Sequence, residues 1–96
     1  LETFAARVLA TIAELPVGPL RDSVPVSDVY DGYRERHDGA GDLSMFKQRL
    51  LEAQRGRLLA LRQLDRPQAL SDACRQRSEI AGKRRPLHLV LRPRRS

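Results

Sequence analysis

Ser44, Gln48 and Arg55 sit 4 and then 7 residues apart in the stretch 43–57, LSMFKQRLLEAQRGR. A hydroxyl and an amide, which both donate and accept, and a guanidinium, which only donates, form a hydrogen-bonding row at helical spacing. On nucleic-acid base edges, Gln pairs well with adenine and Arg with guanine. Lys47, Arg49 and Arg57 flank the row with cations suited to phosphate, which position a ligand without specifying its sequence. Glu52 shares the outer face. It opposes phosphate contact but can accept from a cytosine amine. A second basic group, Arg75, Arg77, Lys83, Arg84 and Arg85, follows later in the chain, and no acid lies between Lys83 and Ser96.

Other chemistry-bearing residues lack partners at working distances. His37, His88 and Cys74 make no pair at metal-ligand spacing, so no metal is expected. Nothing nearby marks Cys74 as a nucleophile, and a half-buried place on a short helix accounts for it. Asp28 and Asp31 resemble a carboxylate pair for proton transfer, but the N-terminal end of a helix explains both through the helix dipole. Gly39-Ala-Gly41 resembles a phosphate cradle in its glycines alone, without the Gly-Lys-Ser/Thr that supplies charge and metal ligand. The expectation is a binding protein, not an enzyme, with no cofactor and no evident small-molecule ligand.

The elements that must hold these residues follow from apolar spacing. Leu43, Phe46, Leu50 and Ala53 recur at intervals of 3, 4 and 3 and so share one helical face. Ser44, Gln48, Glu52 and Arg55 then point away from it. Asp42 or Ser44 can cap this third helix, and Gly56 is read as its left-handed stop. An earlier helix over 2–15 carries Phe4, Val8, Ile12 and Leu15 on one stripe, with Thr3 a candidate cap. Pro16, Gly18 and Pro19 end it. Residues 20–26 read as extended, since Val24 precedes a proline. Ser27 is read as the cap of a second helix over 28–36, with Val26, Val29, Tyr30 and Tyr33 on its apolar face. Phe4, Tyr30, Tyr33 and Phe46 are assigned to the core, not to a base-stacking platform.

Residues 57–64 read as a strand. Ser71 caps a short helix over 71–76, and 78–86 reads as a basic loop. Leu87, Leu89 and Leu91 alternate with His88, Val90 and Arg92, the two-residue period of a strand with one buried face. The two strands are expected to pair antiparallel across a connection of about 20 residues.

The 96 residues suffice for one domain, 1–96, with a modest core and a fraying basic tail at 93–96. The opening Leu1 suggests a piece of a longer chain. Hydrophobic content of 41% and charged content of 31% fit a folded domain. No apolar run approaches the roughly 20 residues of a membrane span. The lone cysteine cannot form an intramolecular disulfide, which points to a reducing, cytoplasmic setting. Net charge is +6, unevenly placed: residues 1–42 carry 4 Arg against 8 acids, whereas 83–96 carry 6 bases and no acid. A polyanionic partner for the second half is the implied match. Of the 18 bases 16 are Arg, an abundance that GC-rich bacterial coding produces by itself, so position carries more weight than number.

The order helix, short strand, helix, helix, strand, basic loop, strand resembles the winged helix-turn-helix family. The resemblance is carried by Val26-Ser-Asp-Val-Tyr, by residues 43–56 and by the strand pair 58–64 and 87–91. It implies an α+β fold, a three-helix core with a two- or three-stranded antiparallel wing. It further implies double-stranded DNA binding, with the third helix in the major groove and the wing on the backbone, as in a bacterial transcription regulator. The long connection departs from an ordinary wing. A protein-interaction adaptor is the competing expectation, since the acidic first half suits a basic partner, and a homodimer through the first helix is compatible with either.

Overall fold

The computed structural model describes residues 1–18, 20–81 and 85–92. Among the described residues the fold is α+β, with four helices and a three-stranded antiparallel sheet: α1 (Glu2–Glu14), β1 (Ser23–Pro25), α2 (Val26–Arg36), α3 (Leu43–Arg55), β2 (Leu61–Arg62), a 3-10 turn (Pro67–Ala69), α4 (Asp72–Ser78) and β3 (Leu89–Leu91). No helix among the described residues is long and apolar enough to cross a membrane.

The apolar stripes of α1, α2 and α3 meet at Phe46, which is fully buried. Its ring lies 5.4 Å from Phe4, 5.1 Å from Tyr30 and 5.4 Å from Tyr33, edge-on to each. The four aromatics thus form the core, as their spacing implied. α1 and α2 approach closely at Gly32, where a Cβ would come 3.0 Å from Thr11 Cγ2.

Helix ends depart from the sequence expectations in instructive ways. α1 begins at Glu2 with no side-chain cap, so Thr3 lies inside the helix. Its other end stops before Pro16 because Leu15 is forced extended, at φ −75° and ψ 142°. Arg92, arriving from the end of β3, donates to the carbonyls of Ile12, Leu15 and Pro16 at 2.8, 3.2 and 3.0 Å. A residue 80 positions away therefore closes the helix.

α2 starts at Val26, directly off β1, so Ser27 is not its cap. The Val26 N–H donates to His88 O of the neighbouring strand, and the Ser27 N–H donates 3.0 Å to Ser78 Oγ of α4. Tertiary partners satisfy the first-turn donors that local capping would otherwise take. Ser78 is fully buried, so Ser78→Ala strands the Ser27 N–H without a partner. The expected cost is roughly 1–3 kcal/mol, read by chemical denaturation; an unchanged stability contradicts this linkage of α4 to α2.

On α3 the capping alternatives resolve to Asp42, whose Oδ1 accepts from Met45 N at 2.8 Å. Gly56 is not the left-handed stop: its φ is −81°, and Arg57 takes φ +60° instead. The Leu58 N–H bonds to Ala53 O and the Arg57 N–H to Gln54 O, both 2.9 Å, a closure that demands the left-handed turn one residue beyond Gly56. Arg57→Gly is therefore expected to raise stability by roughly 0.5–1 kcal/mol, relief of the left-handed conformation less the added freedom of the unfolded chain. A thermal melt in which the midpoint fails to rise contradicts strain at Arg57.

The sheet order is β1-β3-β2, with Val24 and Leu61 both opposite Val90. Pro25 sits on an edge strand, where its missing N–H removes no ladder bond. β2 is two residues, not the eight of 57–64, because the turn at Arg57 occupies the start of that stretch. β3 is buried on both faces where one was expected: Val90 is sealed in the helical core, and His88 is 7% exposed, whereas Leu87 and Leu91 are half-buried. Leu89, also buried, faces a cleft lined by Leu20, Leu64 and Ala69. Side chains on both faces of β3 are covered, so the alternation could not reveal which face the helices meet.

The connection between β2 and β3 is not one open loop. Ser71 Oγ caps α4 by accepting from Cys74 N at 3.2 Å, as its position implied. α4 then lies along α2 and ends where Ile80 pairs with Leu87 through two 2.8 Å bonds. Between these two paired residues lies the basic segment 81–86, of which 81, 85 and 86 are described.

Candidate nucleic-acid interface

The burial of Phe46, Leu50 and Ala53, with Leu43 half-buried beside them, fixes the rotation of α3 and leaves Ser44, Gln48, Glu52 and Arg55 exposed. None of Ser44, Gln48 and Arg55 is tied to the side chain of another described residue. Leu51 is half-buried against the core, so no apolar patch accompanies the row. Met45, 48% exposed, is the one large exposed hydrophobic on this helix.

The cations divide into two sets. Arg49 is held inward: its Nη1 donates to Gly39 O at 3.2 Å, and its guanidinium lies 5.9 Å over the Phe4 ring. Arg75 donates to Asp72 Oδ1 at 2.7 Å and to Pro67 O at 3.2 Å. Arg77 forks onto both carboxylate oxygens of Asp31 at 3.2 and 3.0 Å, and that carboxylate pushes its pKa upward. These two arginines belong to α4, not to the hairpin. Lys47, Arg57 and Arg85 make no ion pair with a described residue. Lys83 and Arg84 lie outside the described residues.

His88 reports where these groups meet. Burial pushes its pKa down, Glu79 pulls it up, and the charges of Arg75 and Lys47 depress it further. Its Nδ1 is buried with no hydrogen-bond partner among the described residues. Arg75, Arg85 and His88 line one cleft of about 300 Å³ with Gln63 and Pro86. Lys47 has its own pKa lowered first by burial, with Glu79 acting upward and Arg77 downward. The inner edge of α3, the end of α4 and the base of the hairpin thus share one electrostatic neighbourhood.

Sequence reasoning did not single out Ser78, His88 or Arg92 for these structural tasks. Each acts through a partner more than 50 positions away, or on both sides of a central strand, and no local spacing signals that. Comparison with models of protein families, with curated proteins and with solved structures finds no match to this chain.

Proposed function

We propose that the chain is a winged-helix domain that binds double-stranded DNA. α3 lies in the major groove, and the hairpin between Ile80 and Leu87 rests on the backbone. The observation that carries this reading is the exposed polar row Ser44, Gln48 and Arg55 on a helix whose other face is sealed by Phe46. The element order, with β3 between β1 and β2, supports the winged-helix layout. A surface carrying Gln and Arg without an apolar patch suits base edges better than a protein partner.

In this reading Gln48 and Arg55 read bases, with Ser44 beside them, and Lys47, Arg57 and Arg85 hold phosphates. Lys83 and Arg84 extend the backbone set by sequence position. Arg75 and Arg77 join only by exchanging their carboxylates for phosphate, which exposed ion pairs permit at little cost. Arg49 stays with Gly39 and Phe4. The function requires no cofactor and no catalytic step, and it places the protein with the cytoplasmic nucleoid.

Selection from randomised duplexes tests it. Arg55→Ala is expected to lose about 1–3 kcal/mol of discrimination at one base pair, while Arg57→Ala weakens all duplexes alike. Uniform loss in both variants contradicts base reading by α3.

A further inference from the structure

A second surface is built from none of the residues assigned to DNA. Where α1 ends and α2 begins, a groove of about 380 Å³ has Leu15, Leu20 and Leu70 among its apolar walls. One rim consists of Asp28, Asp31 and Glu35, which follow one another at spacings of 3 and 4 along α2 and so line one side of the helix. The local cations are divided between this rim and other partners, and among the rim carboxylates Asp28 is the one without an ion pair to a described residue. Arg92, also at the groove, spends its guanidinium on the carbonyls of Ile12, Leu15 and Pro16 at the end of α1. Arg77 forks onto Asp31 of the rim itself, and Arg36 reaches across to Glu14 while its Nη1 stands 3.7 Å from the exposed Glu35, a loose pair that a basic ligand can displace at little cost. Asp28 makes no ion pair with a described residue, and burial and the Asp31 charge hold its proton more tightly than usual against the pull of Arg77. Apolar walls beside crowded carboxylates leave room for both a hydrocarbon side chain and added positive charge, and they repel phosphate.

We propose that this groove docks a short extended segment of another protein that carries an apolar side chain flanked by Lys or Arg. The apolar residue enters between Leu20 and Leu70, and its basic neighbours meet Asp28 and Glu35. Such a site gives the domain a protein partner on a surface separate from α3, so DNA and partner can be held together.

The test uses a fluorescently labelled nine-residue peptide of alternating Leu and Arg, titrated into the intact chain without DNA and read by anisotropy. Saturable binding is expected. Asp28→Asn with Glu35→Gln is expected to weaken it about tenfold, two exposed charge pairs being lost. Both positions are exposed, so the fold is retained. Ala69→Lys, which places a cation in the groove wall from another element, is expected to do the same. A peptide of alternating Gly and Arg is expected to bind at least about tenfold more weakly, because it supplies charge without hydrocarbon. Equal affinity for the two peptides, or unchanged affinity in both variants, overturns the proposal. Self-association of the intact chain that these variants abolish also overturns it, since a second copy then fills the groove. Duplex affinity is expected to be unchanged in the variants, so failure of DNA binding and failure of peptide docking are separately visible.

Discussion

Phe46→Ala is expected to cost about 3–5 kcal/mol of folding stability. Phe46 is fully buried and is the ring on which α1, α2 and α3 converge, edge-on to Phe4, Tyr30 and Tyr33 at 5.1–5.4 Å. Truncation forfeits the transfer of a whole ring, leaves a cavity among side chains on three separate helices, and breaks three aromatic pairs worth about 0.5–1.5 kcal/mol each beyond area. A domain of this size commonly has only about 5–15 kcal/mol in total, so the variant sits near the edge of folding. Urea unfolding checks this: the midpoint falls while the slope with denaturant holds, because the surface exposed on unfolding is nearly the same. A loss below about 1 kcal/mol contradicts the placement of Phe46 at the centre. The consequence reaches function, since this ring fixes which side of α3 faces water.

The helical stripes were the most legible part of the sequence. Spacings of 3 and 4 placed Phe4, Val8, Ile12, Val29, Tyr33, Phe46 and Leu50 inside, and all are buried. One rule accounts for these, because each helix presents a single side to one core. Capping was half legible. Asp42 and Ser71 cap as their types and positions imply, for their bonds close within three residues. Ser27 has the same type and a suitable position, yet its N–H is claimed by Ser78, 51 residues later. The helix starts one residue before Ser27, at Val26, because distant acceptors, His88 O and Ser78 Oγ, take the first-turn N–H groups of Val26 and Ser27.

The strands were least legible. The alternation of Leu87, Leu89 and Leu91 with their neighbours looks like a strand with one buried face, but side chains on both faces of β3 are covered. Alternation then carries no information about which side meets the helices. The same limit hid the division of the basic group. Arg75 and Arg77 stand close to Lys83–Arg85 in sequence, but α4 lays them against Asp72 and Asp31. Their pairing depends on α4 folding back along α2, which the residue types of that stretch do not announce.

The separation of cations sets the second large effect. If Lys47, Arg57 and Arg85 each hold one phosphate, association releases counterions in proportion. The logarithm of affinity then falls with the logarithm of salt at a slope of roughly −2.7. Raising salt from about 50 to about 200 mM weakens binding about 40-fold. With Lys83 and Arg84 added, the slope steepens to roughly −4.5 and the loss reaches about 500-fold. Neutralising Arg57 and Arg85 together is expected to flatten the slope by about two, whereas Gln48→Ala, which removes no charge, leaves it in place and changes sequence preference.

Titration of the intact chain with duplex DNA at several salt concentrations therefore bears most directly on the central claim. The prediction is saturable binding whose log–log slope lies between roughly −2.7 and −4.5 and becomes shallower by about two in Arg57→Ala/Arg85→Ala. An affinity indifferent to salt, or a slope untouched by that double substitution, contradicts a DNA interface formed by α3 and the basic hairpin.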